Sequence, residues 1–383
     1  MLPGRTVALK SVCWMYKTFG TFLVVQSGNK FSELVSYDDA GLFLYIPYLS
    51  YFLNIKSLNA EILFIQIVAF VFLIISFWGV SLCSSTLKGS LFASVLLILC
   101  SYKISMMRDV YIGYIIPFIP IMLFFGALEK RNKVYFMISS FLVGLLGFVG
   151  SLIRSFASWP VFILFFLIGC FSPRFNKKEK FGALLFFLIG YGIPYVHYQW
   201  ALSQQKSFLQ SYGVVSSQNY QHIFWHNIYI SFGFLQNSHG ITWEDGCNDR
   251  AIKKINPKLG VGGLEGEEIT KNMIINLFQK DRHFVLTSLF ARFGIVMMFF
   301  LIWFGWVGLI CAYLVPKSWY YELAFLLAFG CSAAPGVLTI PCFEYLAGFI
   351  VCVVIYTVLS FIIACNNGIE TKIKYVRKGY TSE

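Results

Sequence analysis

Residues 62–80 read ILFIQIVAFVFLIISFWGV, nineteen consecutive positions without a charged side chain. A helix of about 20 apolar residues can cross the hydrocarbon of a bilayer, because all its backbone hydrogen bonds are made internally. This run is therefore predicted to span a membrane. Similar apolar runs recur along the chain, so the sequence predicts an all-α polytopic membrane protein.

The composition supports this class over the 383 residues. Hydrophobic residues make up 58% of the chain and charged residues only 13%, a balance that soluble domains do not have. The net charge of +12 could suit nucleic acid, but most basic residues outside the long polar loop lie in short gaps between apolar runs. Nucleic-acid binding is therefore not expected. The ten cysteines lack C-x-x-C spacing and are interpreted as small buried hydrophobes; several lie in apolar runs (Cys100, Cys170, Cys311, Cys352).

The apolar runs predict about nine to ten transmembrane helices. They lie near 62–80, 91–104, 111–128, 134–150, 159–171, 181–195, 287–314, 319–335 and 345–364. Residues 7–25 are a weaker candidate, because Lys10 and Lys17 interrupt them. The chain accordingly divides into a transmembrane core (1–197) with a first outer loop (27–59), a large outer loop (198–286) and a C-terminal part (287–383).

Three groups of basic residues predict the orientation. They are Lys130, Arg131 and Lys133; Arg174, Lys177, Lys178 and Lys180; and Lys372, Lys374, Arg377 and Lys378. Basic residues mark the cytoplasmic side of membrane proteins. Alternation of spans then puts Asp38, Asp39, Asp109, Arg154, the long loop and Glu344 together on the opposite face.

The first outer loop contains two adjacent carboxylates in the sequence Ser36-Tyr37-Asp38-Asp39-Ala40-Gly41. Apolar residues at helical spacing follow, and they predict an amphipathic helix along the bilayer surface (Leu42, Tyr45, Ile46, Leu49, Leu53). Pro47 could kink that helix. A helix start favours negative charge, so Asp38 or Asp39 is interpreted either as an N-cap or as a catalytic carboxylate at the membrane boundary.

Three further positions each have two interpretations. Asp109, directly after Arg108, either begins a helix beside a snorkelling arginine or belongs to a functional site. Arg154 stands alone between two spans, where it could reach lipid headgroups or bind an anion such as phosphate. Glu344, beside Tyr345, could cap the last helix or line the same cavity as the aspartates.

The long loop contains His222, His226 and Asn227, and later Trp243 and Asp245. The two histidines are spaced i, i+4 and could face one metal ion, but the spacing supplies no third ligand, so no zinc site is predicted. They could instead donate to phosphate or sugar hydroxyls, or pack as ordinary core residues. The surrounding aromatic residues could stack on sugar rings or rest on a membrane. A glycine-rich connector at 259–266 precedes a predicted amphipathic helix at 267–279.

The order of these parts resembles the GT-C superfamily of membrane glycosyltransferases, which take a sugar from a polyprenyl-phosphate carrier. The resemblance lies in the acidic first outer loop with its surface helix, the Arg108-Asp109 pair, the later arginine, the large outer loop and the aromatic start of the last helix. It implies that Asp38 or Asp39 is the catalytic base. The candidate substrate- or phosphate-binding residues are Arg108, Asp109, Arg154, His222, His226, Asn227, Trp243, Asp245, Glu344 and Tyr345. Of these, His226-Asn227 with Trp243 and Asp245 look like the loop of small members of the superfamily, and the resemblance assigns them no role. The chain departs from many members at Phe343-Glu344-Tyr345, where they carry a basic residue before the tyrosine.

The resemblance implies inverting transfer of a sugar to a hydroxyl of a lipid, glycan or protein on the extracytoplasmic side. Such a reaction needs a base for the hydroxyl proton and cationic groups on the departing phosphate. No cofactor is required by the pattern, although carboxylates could hold a divalent cation. The compact chain without a sorting motif favours a bacterial inner membrane. The alternatives are a transporter or flippase for a lipid-linked substrate, for which internal repeats are expected, and a scaffold whose outer loop binds a partner.

Overall fold

The computed structural model of the protein describes residues 3–28, 30–34, 40–214, 224–260 and 263–367. A short antiparallel hairpin pairs β1 (Val24–Ser27) with β2 (Lys30–Glu33). The helices are α1 (Pro3–Phe19), α2 (Ala40–Phe52), α3 (Ser57–Cys83), α4 (Leu87–Ser105), α5 (Ile121–Lys130), α6 (Lys133–Ile153), α7 (Trp159–Phe171), α8 (Lys177–Ser211), α9 (Phe224–Ser231), α10 (Asp245–Ile255), α11 (Leu264–Lys280), α12 (Arg282–Ile302), α13 (Gly305–Leu314), α14 (Trp319–Leu338) and α15 (Ala347–Asn366). Two 3₁₀ helices precede α5 (Asp109–Tyr114 and Ile116–Phe118), and we call them the 3₁₀ segment. A third 3₁₀ helix, Phe232–Phe234, follows α9.

Eight helical segments in the described ranges are long and apolar enough to cross a membrane. They are α3, α4, the 3₁₀ segment with α5, α6, α8, α12, α14 and α15. This agrees with the predicted all-α polytopic class. The 13-residue α7 is roughly 20 Å long. It connects the end of α6 to the start of α8, so the described chain makes nine passages between the two ends of the bundle.

The two ends of the bundle differ in charge. The turns at 130–133 and 174–180 lie at one end, where Arg174 forms an ion pair with Glu129 at 3.0 Å; we call this the basic end. Asp109, Arg154 and Tyr345 lie at the opposite end, as does the described part of the chain between α8 and α12. We call this the loop end. The third predicted basic group, at 372–378, lies outside the described residues.

α1 packs at the loop end and does not form a first span. Its 17 residues include three cations, and it is not among the eight candidate spans. Arg5 Nη1 forms an ion pair with Asp109 at 3.1 Å, and Lys17 donates to Asn54 near the end of α2. The weak span predicted from residue 7 is therefore not borne out. Cations are costly in hydrocarbon, and at this position they stay paired or exposed.

α2 is helical as predicted, but its first half is enclosed by protein. Four side chains in its first two turns have no exposed surface (Leu42, Phe43, Leu44, Ile46). α2 also approaches α6 closely, since a Cβ at Gly41 would lie 2.9 Å from the Leu152 backbone. The prediction of an amphipathic helix on the bilayer surface is thus wrong for this half, because α1, α3 and α6 cover it. Pro47 lies within the helix, which continues to Phe52.

The third passage begins as 3₁₀ helix, although a continuous span was predicted for 111–128. Pro117 and Pro120 remove backbone donors here and so disfavour α-helix. The 3₁₀ segment packs tightly on α6, since a Cβ at Gly113 would lie 3.0 Å from the Arg154 backbone nitrogen. This passage is almost entirely buried and forms the centre of the bundle. It therefore fixes the end of α6, where Arg154 stands.

Two other passages differ from the prediction in length. α8 has 35 residues, about 50 Å, so it extends beyond the roughly 30 Å of a hydrocarbon core. Its last turns occupy positions that were predicted as loop from residue 198. The span predicted at 287–314 is divided into α12 and α13 at Phe304, whose φ is +64°.

The chain between α8 and α12 folds around a small core of its own. Its buried apolar side chains come from α9, the 3₁₀ helix and connection that follow it, α10, α11 and the start of α12 (Ile230, Phe232, Ile241, Cys247, Leu277, Val285). α11 (Leu264–Lys280) covers the amphipathic helix predicted at 267–279. The described part of the large loop is therefore a helical layer on the loop end.

The cysteines are free, and half of them are buried (Cys83, Cys100, Cys247, Cys311, Cys352). Cys170 differs from the prediction, since it is exposed near the basic end of α7. Cys331 is exposed on α14.

Gly190 of α8 allows close contact with α6, because a Cβ at this position would overlap the Phe141 carbonyl oxygen. We expect Gly190→Ala to lower the free energy of unfolding by about 1–3 kcal/mol through overpacking. Gly192→Ala on the same helix is the matched control, since its Cβ would meet nothing within 4 Å. Thermal unfolding in detergent measures both. Equal melting temperatures for the two variants would contradict the close α6–α8 contact.

Candidate functional site

A cavity of about 290 Å³ lies at the loop end of the bundle. Its walls come from the 3₁₀ segment, the α6–α7 connection with the start of α7, α9, the end of α14, and the start of α15 with Tyr345 before it. The lining residues are Tyr114, Arg154, Ser155, Phe156, Ala157, Pro160, Phe224, Asn227, Ile228, Cys331, Ser332, Ala334, Pro335, Leu338, Thr339, Tyr345 and Gly348. Most of these side chains are apolar, and Arg154 is the ionisable side chain with a permanent charge among them.

Arg154 is held in place by aromatic side chains. It follows the last turn of α6 in an extended conformation and is only 9% exposed. Its Nε donates to the Tyr114 hydroxyl at 3.3 Å, and its guanidinium carbon stands 5.8 Å from the centre of the Tyr345 ring. The Tyr345 ring in turn contacts Tyr111 edge-on at 5.1 Å. A guanidinium held in this way at a cavity wall suits a phosphate or carboxylate, because its donors form a planar fork.

Of the predicted site residues that the structure describes, three line this cavity: Arg154, Asn227 and Tyr345. They come from three separate parts of the sequence, so the tertiary structure brings them together. Glu344 precedes Tyr345 but is exposed and does not line the cavity. Trp243 packs against the small core of the loop.

The predicted Arg108-Asp109 pair does not act as a pair. Arg108 is exposed, whereas Asp109 is buried with 3% of its surface exposed. The Asp109 carboxylate accepts from Arg5 at 3.1 Å and from the Val110 backbone at 2.9 Å. Its own N–H donates to the buried Glu61 carboxylate at 3.0 Å. Asp109 has φ +69° and begins the 3₁₀ segment, so it organises the backbone. It does not line the cavity.

His226 has the packed role that was one of its predicted interpretations. It is 5% exposed, and its Nδ1 accepts from Asn248 at 3.0 Å. This assigns the ring proton to Nε2, which lies 3.4 Å from Asp245 Oδ1. The hydrogen bond from His226 holds the pKa of the Asp245 carboxyl below its usual value, and the charge of Arg5 acts in the same direction. Within the described ranges no three metal-ligating side chains come together.

Glu267 of α11 binds the first turn of α9. Its carboxylate accepts the backbone N–H groups of Phe224, Trp225 and His226 at 3.0, 2.9 and 3.3 Å. A carboxylate at a helix N-terminus is favourable, because it satisfies free donors and opposes the positive end of the helix dipole. This contact orients α9, which supplies Phe224 and Asn227 to the cavity wall.

Asp38, Asp39 and His222 lie outside the described residues. The described residue next to the two aspartates is Ala40, the first residue of α2. The start of α2 packs against the end of α6, directly before Arg154. The expected roles of Asp38 and Asp39 therefore remain predictions.

Several residues at the loop end were missed by sequence reasoning. Tyr114, Ser332 and Thr339 line the cavity, while Arg5 and Glu61 hold Asp109. Hydroxyl residues in apolar runs give no distinctive signal. Arg5 and Glu61 are charged residues next to apolar runs, and this is the signal that could have found them.

A buried arginine in α12 was also missed. Arg292 interrupts an otherwise apolar run of α12 and has no exposed surface. An isolated charge inside a predicted span is a recognisable sequence signal.

Comparisons with known proteins gave no match. No family model, no curated protein and no solved structure is similar to this chain.

Glu267 allows a direct test of how α9 is held. We expect Glu267→Ala to weaken the first turn of α9 by roughly 1 kcal/mol, since three backbone donors lose their acceptor. Hydrogen–deuterium exchange of residues 224–231 should then accelerate several-fold. Glu268→Ala is the matched control, because Glu268 is exposed on the same helix. Similar exchange in both variants would show that Glu267 does not orient α9.

Proposed function

We propose that this chain is an integral membrane glycosyltransferase that moves a sugar from a polyprenyl-phosphate carrier to an acceptor hydroxyl. The observation that carries the proposal is the loop-end cavity, whose described walls are mostly apolar and include the permanent charge of Arg154. A polyprenyl-phosphate sugar has the same character, with a long apolar chain and an anionic head. Apolar walls with a few placed polar groups are typical of ligand-binding cavities.

The proposed reaction is a single displacement at the anomeric carbon. Asp38 or Asp39 takes the proton of the acceptor hydroxyl, whose oxygen bonds to the anomeric carbon. The bond from that carbon to the carrier phosphate oxygen breaks, and the electron pair leaves with the phosphate. A single displacement inverts the anomeric configuration. Adjacent side chains rarely point the same way, so one aspartate is the base and the other supports it.

Arg154 is the proposed partner of the departing phosphate, because its guanidinium can neutralise the growing negative charge. Asn227, on the wall formed by α9, adds an amide that can donate to the sugar or the phosphate. Arg108 and His226 are less suited to this task, since the first is exposed outside the cavity and the second is bonded within the loop. Carboxylates could also hold a divalent cation, and the proposal does not require one.

The acceptor is a hydroxyl of a lipid, a glycan or a protein. The loop end is proposed to face the extracytoplasmic side, because the turns at 130–133 and 174–180 lie at the basic end. A bacterial inner membrane is the proposed location.

A transporter or flippase for a lipid-linked substrate is the second candidate. Two interrupted passages favour a transporter. The third passage begins as 3₁₀ helix, and the seventh is divided into α12 and α13. Interrupted helices often form transporter binding sites. In repeat-built transporters, however, interrupted helices occupy matching positions of two halves. Here they are the third and the seventh of nine passages, and the large loop separates them.

The catalytic step is tested with Asp38→Asn and Asp39→Asn. Purified protein receives a panel of polyprenyl-phosphate sugars with a membrane lipid extract as acceptor. One variant should lose roughly 10²–10⁴-fold in turnover, as expected for a missing general base, while it still binds the carrier. Wild-type protein that binds the carrier and moves it across liposomes without transfer would support the transporter instead. Full turnover in both variants would exclude these aspartates as the base.

Arg154→Lys tests the phosphate contact, because it keeps the charge and loses the planar fork. We expect a loss of about 2 kcal/mol in binding of a polyprenyl phosphate, or roughly thirty-fold in affinity. Arg250→Lys is the matched control, since Arg250 is 63% exposed and bonds to Glu244 in the outer loop. Equal affinities for wild type and Arg154→Lys would show that Arg154 does not bind the phosphate.

A further inference from the structure

Arg292 is a charged residue buried within a membrane-spanning helix. It has no exposed surface, and within the described residues its partners are neutral oxygens and an aromatic ring. Among the described residues, no hydrogen-bond partner contacts its buried Nη2. A buried charge with an unused donor is costly, so it is not explained by stability alone.

The contacts of Arg292 join the outer loop to the membrane bundle. Its Nη1 lies 2.7 Å from the Ser231 hydroxyl at the end of α9. The same nitrogen lies 3.1 Å from the Val337 carbonyl and 3.2 Å from the Thr339 carbonyl, at the end of α14. The guanidinium carbon also stands 5.3 Å from the centre of the Phe232 ring. One nitrogen thus fixes the end of α9 relative to the end of α14.

The charge of Arg292 suits this position. The last carbonyls of α14 form the negative end of its helix dipole, and a cation is favourable there. Nε of Arg292 donates to the Ser288 carbonyl of its own helix at 3.1 Å, which orients the guanidinium towards α14. A neutral side chain would lose this attraction to the end of the α14 dipole.

Both elements that Arg292 joins are walls of the loop-end cavity. α9 contributes Asn227 one turn before Ser231, and α14 contributes Leu338 and Thr339 beside the carbonyls that Arg292 holds. Arg292 itself does not line the cavity. Arg292 therefore affects the distance between two walls of the cavity without touching a molecule bound inside it.

We propose that Arg292 is a positioning residue of the loop-end cavity: it fixes α9 against the end of α14 and so sets the width of the cavity between Asn227 and Thr339. The consequence for sugar transfer rests on the proposed function, whereas the consequence for the cavity does not.

The first test measures the cavity without any substrate. Cys331 lines the cavity and is exposed, while Cys170 is exposed at the basic end. The protein is treated with N-ethylmaleimide in detergent, and the rate of alkylation is measured by mass spectrometry. Masses of the intact protein give the total rate, and masses of its peptides give the rate at each cysteine. We expect alkylation of Cys331 to be several-fold faster in Arg292→Met, because the cavity wall is no longer held, with an unchanged rate at Cys170. Exchange of residues 224–231 should accelerate in the same variant.

Three further variants separate positioning from general stability. Ser231→Ala removes the contact between Arg292 and α9, together with the hydrogen bond from the Ser231 hydroxyl to the Ile228 carbonyl, and leaves the Arg292 contacts with α14. It should accelerate alkylation of Cys331 whether or not Arg292→Met folds. Arg292→Lys should restore part of the wild-type rate, because an ammonium can still donate to Ser231 and the α14 carbonyls. Arg282→Met removes an exposed cation from the same helix and should change nothing.

An active transferase adds a second readout. Arg292→Lys and Ser231→Ala should raise the KM for the donor several-fold with kcat nearly unchanged and the same pH profile. If wild type transfers no sugar, the proposed function fails while the alkylation result stands. Unchanged Cys331 alkylation in Ser231→Ala and in folded Arg292→Met would overturn the positioning role. Equal acceleration at Cys331 and Cys170 would overturn it too, because it would indicate general loosening of the bundle.

Discussion

The interaction on which the loop end depends is the set of hydrogen bonds made by Asp109. Its carboxylate binds Arg5 of α1 and the next backbone N–H, and its own N–H binds Glu61 of α3. Asp109 and Glu61 are only 3% and 2% exposed. The buried charge of Asp109 is paired with Arg5, as a buried charge requires. One Glu61 oxygen accepts the Asp109 N–H, and within the described residues the other is buried without a hydrogen-bond partner. Because these residues share one set of contacts, α1, α3 and the 3₁₀ segment meet at one place.

The shape of the cavity follows from that meeting point. The 3₁₀ segment begins at Asp109 and carries Tyr111 and Tyr114, of which the second binds Arg154 and the first touches Tyr345. Glycine at 113 permits the close approach of this segment to the end of α6. Arg154 is thereby held at an apolar wall with its charge kept among aromatic rings. The lipid-linked phosphate that we propose as ligand has the same two parts, an anionic headgroup and an apolar chain.

Polar residues hold the outer loop together and attach it to the membrane bundle. In the sequence, residues of these types could be mistaken for those of a reactive site. Glu267 binds the first turn of α9, and His226 is bonded to Asn248 and Asp245 within the loop core. Arg292 of α12 binds Ser231 in the last turn of α9. These groups therefore orient α9. Among the loop residues that were predicted for the site and that the structure describes, Asn227 reaches the cavity.

The sequence alone determined the class of the protein and most of its passages. Apolar runs of sufficient length form helices in a membrane whatever their neighbours, since each helix satisfies its own backbone, so they can be read locally. The tertiary structure decided which polar residues meet. Asp109 pairs with Arg5, 104 positions away, rather than with the adjacent Arg108. α2 is enclosed although its periodicity suggested a surface helix, and the 3₁₀ segment replaces a predicted α-helix. In each case the outcome depends on burial by elements distant in sequence, and a charge or a helix face is stable only in relation to the partners that surround it.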